Sequence, residues 1–203
     1  MADVTLGVQA PAVGAQAVAP PEFQIVPTRA IPAVAVVMAL LVATLAGNWL
    51  WPLTFFHVVG GGLWTAIDLF VGFVVGPILG RLSIPARMEF SARFMPKMVL
   101  LMPTLVTATL ASGWQLAHHL GNLTVAYPRH WWLTVSFIVV GVMAVVAIGV
   151  LEPANLAVLF EMKKPRPDGL LIQRLMRRFI YTAGITGAMQ VATLIVMTRL
   201  ATW

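Results

Sequence analysis

The stretch that decides the fold runs from residue 30 to residue 82 and reads AIPAVAVVMALLVATLAGNWLWPLTFFHVVGGGLWTAIDLFVGFVVGPILGRL. It is apolar over almost its whole length, whereas one membrane-spanning helix needs only about 20 apolar residues. The stretch therefore predicts two transmembrane helices. Residues 47–52, GNWLWP, predict the turn between them, because asparagine and proline break helices and tryptophan favours the membrane interface.

Three further apolar segments are long enough to cross a membrane, so we predict an all-α integral membrane protein with five transmembrane helices. The predicted spans are residues 30–51, 53–82, 97–119, 131–160 and 178–202, within one membrane domain over residues 29–203. Residues 1–28 are rich in Ala, Val, Pro and Gln and show no helical period. They predict an extended or disordered tail, or one that lies against a partner.

The composition excludes a soluble domain. Hydrophobic residues make up 60% of the chain and charged residues 10%, against about 45–50% and about 25% in soluble proteins. The net charge of +6 would suggest nucleic-acid binding in a soluble protein, but here the basic residues lie between apolar segments, and no nucleic-acid partner is expected. Because cysteine is absent, disulfides and thiolate metal sites are excluded.

Most of the basic residues fall on one side of the five-span topology. Ten of the thirteen lie in two predicted loops, residues 81–97 and 163–178, whereas the loop before the fourth span carries only Arg129. The positive-inside rule assigns the two basic loops to the cytoplasm. The N-terminus is then cytoplasmic and the C-terminus lies on the outer side, which is the periplasm in a bacterial cytoplasmic membrane. Tryptophan supports this independently, since five of the seven tryptophans mark the outer interface, at positions 49, 51, 131, 132 and 203.

The same topology brings all four histidines to the outer side. His57 lies near the start of the second span, His118 and His119 end the third, and His130 begins the fourth. Imidazole binds haem iron or copper and titrates near neutral pH, so all four are candidate metal ligands. For each of the last three taken alone, a solvated interfacial position is the simpler explanation, because it costs a histidine little. His57 lies inside an apolar run, where a polar group without a partner is costly.

His57 begins a stripe of small and polar residues along one face of the second predicted helix. The stripe comprises His57, Gly61, Thr65, Asp68, Gly72 and Gly76, with Gly80 one step further on. Its inner half predicts close helix packing through glycine. Its outer half, with residues 60–62 all glycine and Trp64 one turn below, is expected to leave room for a planar cofactor.

Two carboxylates fall within predicted spans. Asp68 lies about 16 Å below His57 by helical rise, near the midplane, and Gln190 lies at a matching depth in the last span. Asp68 is thus a candidate for proton handling, or a protonated acid that Gln190 hydrogen-bonds. Glu152, followed by Pro153, predicts a kink near the inner interface.

Two segments carry a family resemblance. FHVVGGGLW at residues 56–64 and PTLVTATLASGW at residues 103–114 resemble successive helices of the copper-resistance-D-like bacterial membrane proteins, which are more distantly similar to HemJ-type protoporphyrinogen oxidases. The resemblance covers about residues 53–200. It implies a four-helix bundle core, to which residues 30–51 add one N-terminal helix, and a site for haem b or copper near the outer face. Thr65 replaces a common family glycine, and no predicted span contains the lysine that the HemJ-type oxidases use.

Three functional hypotheses follow. In the first, the chain is a membrane redox or metal-handling protein that binds haem b or copper through His57, with His118 or His119 opposite and Gly61 and Trp64 beside it. In the second, it is an accessory subunit of a larger respiratory or oxidase-type membrane complex, without a cofactor, and the tail contacts other subunits. In the third, a proton or ion path runs through Asp68.

Overall fold

A computed structural model describes residues 22–202, and within them five helices are long and apolar enough to cross a membrane. The predicted all-α, multi-pass membrane fold is confirmed. Most of the predicted tail, residues 1–21, lies outside the described residues, as does Trp203. The helices are α1 (Ile31–Gly47, after a 3₁₀ turn at Thr28–Ala30), α2 (Leu50–Arg81), α3 (Ile84–His119), α4 (Arg129–Met162) and α5 (Gly169–Ala201).

Short connections make successive helices antiparallel, which gives the bundle two ends. We call the end with residues 82–83 and 163–168 the basic end, and the end with residues 48–49 and 120–128 the histidine end. At the histidine end, Asn48 adopts the left-handed conformation with φ of 48° and closes the turn between α1 and α2. Its Oδ1 accepts a hydrogen bond of 2.9 Å from Gln115 Nε2 on α3.

The third and fifth helices begin earlier than the apolar pattern predicted. α3 begins at Ile84 rather than at residue 97, with a proline in its first turn. α5 begins at Gly169 rather than at residue 178, and the carboxylate of Asp168 caps it by accepting from the backbone N–H groups of the two residues after Gly169. The segments that were predicted to be basic loops are therefore largely helical, because a helix that leaves the membrane can carry charge on every face.

Four helices form the core of the bundle. α2 packs between α3 and α5, and α4 closes the ring by packing against α5 and α3. α1 lies outside this ring, mainly against α3, and buries only Leu41 and Thr44. A four-helix core with one added N-terminal helix is thus confirmed. The last part of the predicted tail does not extend away from the bundle, since Phe23 and Ile25 pack against the core.

α2 and α4 each contain one π-helical turn, at Phe70–Val75 and Ala147–Leu151 respectively. A proline follows each turn, Pro77 in α2 and Pro153 in α4. In a regular α-helix the proline ring collides with the carbonyl four residues earlier, and the wider π turn relieves that contact. The kink predicted at Glu152 is a π turn that ends directly before this residue.

Candidate functional site

Glycine brings the backbones of α2 and α5 into direct contact near the middle of the bundle. A Cβ atom on Gly72 would overlap the backbone of Gly184, and one on Gly187 would lie 2.9 Å from the backbone nitrogen of Leu69. No other residue type permits this approach. The predicted packing role of the inner glycines is confirmed at Gly72 and at Gly76, which faces Ile180 of α5, whereas Gly80 faces open space.

This crossing aligns the two polar residues that share its face. Asp68 lies one turn before Gly72, and Gln190 lies one turn after Gly187. Gln190 Nε2 donates a hydrogen bond of 2.8 Å to Asp68 Oδ2. The two side chains are 2% and 3% exposed, so the bond lies in the interior of the bundle. The contact that matching depth predicted is therefore confirmed.

A third side chain completes this group. Trp64 is 2% exposed, and its indole Nε1–H lies beside the carboxyl of Asp68 but makes no hydrogen bond of normal geometry there. Gln190 Oε1 is also buried without a partner. We call Trp64, Asp68 and Gln190 the carboxyl cluster. Trp64, expected beside a cofactor at His57, instead turns its polar atom toward Asp68.

The carboxyl cluster offers hydrogen-bond partners to both forms of the acid. When Asp68 carries its proton, the O–H can donate to Gln190 Oε1 while Nε2 donates to the other carboxyl oxygen, which gives a cyclic acid–amide pair. When the proton leaves, Gln190 Nε2 remains as an N–H donor to the carboxylate, and the indole N–H of Trp64 lies nearby without a hydrogen bond of its own. Both side chains are neutral, so neither holds Asp68 in its ionised form through an opposite charge.

His57 is held by α3 rather than by another histidine. Its Nδ1 lies 3.0 Å from the carbonyl oxygen of Thr109, and because a carbonyl only accepts, Nδ1 carries the proton. The ring packs on Gly113, where a Cβ atom would lie 2.5 Å from the ring carbon Cε1. Gly60 and Gly61 also face Thr109. The room expected for a planar cofactor beside these glycines is therefore filled by α3.

The other three histidines are exposed at the histidine end. By helical geometry, His118 and His119 lie about 140° and about 240° around α3 from Gly113, the residue that His57 contacts. α3 thus presents them on faces turned away from His57, and the expected pairing with His57 is not formed. Within residues 22–202, no three His, Cys, Asp or Glu side chains are grouped so as to hold a metal ion.

Asn155 is a buried polar residue that the sequence-based search for sites did not single out. It is 0% exposed, and neither atom of its amide has a hydrogen-bond partner. It lies one turn after Glu152, on the segment of α4 that follows the π turn. The signal that could have found it is its place well inside a helix of 34 residues, where an asparagine needs a partner.

No family model, curated protein or solved structure matches this chain. The resemblance to the copper-resistance-D-like proteins therefore stays a prediction, and the function has to be argued from the geometry of the bundle.

Proposed function

We propose that this multi-pass membrane protein binds and releases a proton at Asp68, in the interior of its helix bundle. The observation that carries the proposal is the carboxyl cluster, in which the buried Asp68 accepts a hydrogen bond from the neutral Gln190, while the buried indole N–H of Trp64 and the amide oxygen of Gln190 have no partners of their own. An intramembrane carboxyl is costly to ionise and is found mainly where it serves a function.

The depth of Asp68 supports a role in transfer between the two ends. By helical rise, Asp68 lies about 27 Å from the histidine end of α2 and about 20 Å from its basic end. A proton bound at Asp68 is therefore separated from the water at both ends of the bundle. We place the basic end in the cytoplasm of a bacterial cell and the histidine end in the periplasm, on the support of the positive-inside rule.

Proton uptake into liposomes tests this proposal. With the purified protein reconstituted and a pH gradient imposed, Asp68→Asn should lower the rate of uptake about a hundredfold, because a positioned proton-transfer group contributes about 10²–10⁴-fold. Asparagine preserves the shape of the side chain and removes the proton site. An internal pH-sensitive dye measures the rate.

Glu89→Gln is the matched control, since Glu89 is an exposed carboxylate paired with Arg93 at 2.7 Å, and it should transport like the wild type. Equal rates for Asp68→Asn and wild type would contradict the proposal. Absence of uptake by the wild-type protein would also contradict it, and would favour the accessory-subunit hypothesis.

A second candidate function, cofactor binding at His57, is favoured by the state of its ring. The bond from Nδ1 to the Thr109 carbonyl leaves Nε2 with its lone pair free. Metal-binding histidines almost always donate their other ring N–H to such an oxygen. Copper at this position would take Nε2 of His57 as its ligand from α2, and His118 and His119 would remain outside the site. Haem b would take the same nitrogen, but it would need α3 to move out of the space beside Gly60 and Gly61.

Absorption spectroscopy of the purified protein, supplied with haem b or with copper, tests this candidate. Binding through Nε2 predicts a Soret band or stoichiometric copper that His57→Ala abolishes. His130→Ala, which removes an exposed histidine, should leave the signal unchanged. A protein that takes up neither group, or one in which both variants bind equally, would rule out His57 as the ligand.

A further inference from the structure

The side-chain amide of Asn155 lacks a partner both as a hydrogen-bond donor and as an acceptor. Its side chain is 0% exposed, its Oδ1 lacks a donor and its Nδ2 lacks an acceptor. Buried polar atoms without partners are rare in folded proteins because they lose their bonds to water and gain nothing in return. The amide therefore points to a bound molecule that supplies both bonds.

The surroundings of Asn155 explain why the chain itself does not supply them. The neighbouring buried positions of its helix, Ala154, Val158 and Leu159, are apolar and belong to the hydrophobic core. The polar side chain that interacts with the amide is Glu152, one turn earlier, but the two form no direct hydrogen bond of normal geometry. Glu152 is half-buried, so its carboxyl lies between the core and the bundle surface.

The chemistry of the amide selects the ligand. A cation would satisfy Oδ1 alone, and an anion would satisfy Nδ2 alone. Water donates and accepts, and it commonly bridges polar groups that are too far apart for a direct bond. We infer that Asn155 holds an internal water molecule that bridges to the carboxyl of Glu152, and that the two form a second proton site between Asp68 and the basic end.

The second half of this inference rests on the proposed function of Asp68. By helical rise, Glu152 lies about 15 Å from the basic end of α4, whereas Asp68 lies about 20 Å from the basic end of α2. A proton that leaves Glu152 breaks its O–H bond, and the carboxylate keeps the electron pair. The bound water gains the proton as hydronium and must pass it to a further water molecule hydrogen-bonded to it on the side of the basic end, and the reverse sequence protonates Glu152.

The water itself can be observed by NMR because the chain contains three asparagines, at positions 48, 122 and 155. Protein labelled with ¹⁵N-asparagine, in lipid nanodiscs, gives three pairs of side-chain amide signals, and Asn155→Leu identifies the pair of Asn155 by its loss. We expect that pair to show magnetisation transfer from water despite its complete burial. Transfer from apolar protons alone, with none from water, would overturn the inference.

Proton uptake into liposomes tests the role of this water. Asn155→Leu keeps the branched shape of the side chain and should lower the rate about tenfold, the effect of losing one hydrogen bond, and Glu152→Gln should lower it at least as much. Gln173→Leu, a half-buried amide on α5, is the matched control and should leave the rate unchanged.

These two experiments separate failure of the inference from failure of the proposed function. Water transfer at Asn155 with undiminished uptake in Asn155→Leu and Glu152→Gln would overturn the second proton site. Absence of uptake by the wild type and every variant would overturn the proposed function, and the second proton site with it. The NMR result would then still decide whether Asn155 binds water.

Discussion

Gly72→Leu is expected to leave no folded, monodisperse protein in mild detergent. A Cβ atom at this position overlaps the backbone of Gly184, so α2 and α5 would have to separate along their whole crossing, and Asp68 would lose its contact with Gln190. Overpacking against yielding side chains costs about 1–3 kcal/mol. Here the obstacle is a helix backbone, and the cost should consume much of a total stability of about 5–15 kcal/mol. Size-exclusion chromatography and thermal unfolding measure the effect.

Gly62→Leu provides the control on the same helix. A Cβ atom on Gly62 meets no atom within 4 Å, so the added side chain faces lipid, and this variant should elute and melt like the wild type. If Gly72→Leu also melted like the wild type, the close contact of α2 and α5 would be wrong.

Gln190→Met is expected to lower the free energy of unfolding by about 3 kcal/mol, because it leaves the carboxyl of Asp68 buried without its hydrogen-bond donor. Methionine matches the length of glutamine, so the loss reflects the missing amide rather than a cavity. Replacing both partners should be far less harmful than replacing one. Asp68→Leu/Gln190→Met, in which leucine keeps the branched shape of aspartate, should therefore recover most of the loss.

Equilibrium unfolding in mixed micelles of the single variants and the double variant gives the coupling energy between the two positions. A double variant whose loss equals the sum of the two single losses would mean that the bond between Asp68 and Gln190 contributes nothing to stability. Loss of proton uptake in the stable double variant would then separate the chemistry of Asp68 from its structural role.

The sequence predicts the membrane fold well because burying polar groups in lipid is costly, so the spans are visible as long apolar segments. It predicts the beginnings of α3 and α5 poorly for the same reason. Where a helix extends beyond the membrane, charged residues such as Arg87 and Arg174 are accommodated without cost, and the apolar signal ends although the helix continues. The only sequence feature that accompanies the two π turns is the proline after each, Pro77 and Pro153. Proline alone does not predict a π turn, because α3 carries Pro96 and Pro103 in an uninterrupted α-helix.

The candidate site was predictable where depth decides the contact and unpredictable where the helix face decides it. Depth along two antiparallel helices was enough to pair Asp68 with Gln190. Depth also placed His57 near His118, but the rotation of α3 turns the latter away and presents Gly113 instead. The residue that would have predicted the contact of the His57 ring was Gly113, which leaves room for it, rather than another histidine. For Asn155, its proximity to a glutamate and a proline suggested a helix kink and concealed its complete burial.

The π turns have a consequence for how the sequence of this bundle can evolve. In an uninterrupted helix of more than thirty residues, the face shown at one end fixes the face shown at the other. A π turn adds a residue without adding a full turn, and so shifts the phase between the two halves of α2 and of α4. The half of α2 that carries His57 and the half that begins at Gly76 can thus follow different neighbours. The sequence of the bundle in one half of the membrane can therefore diverge while the helices in the other half keep their packing.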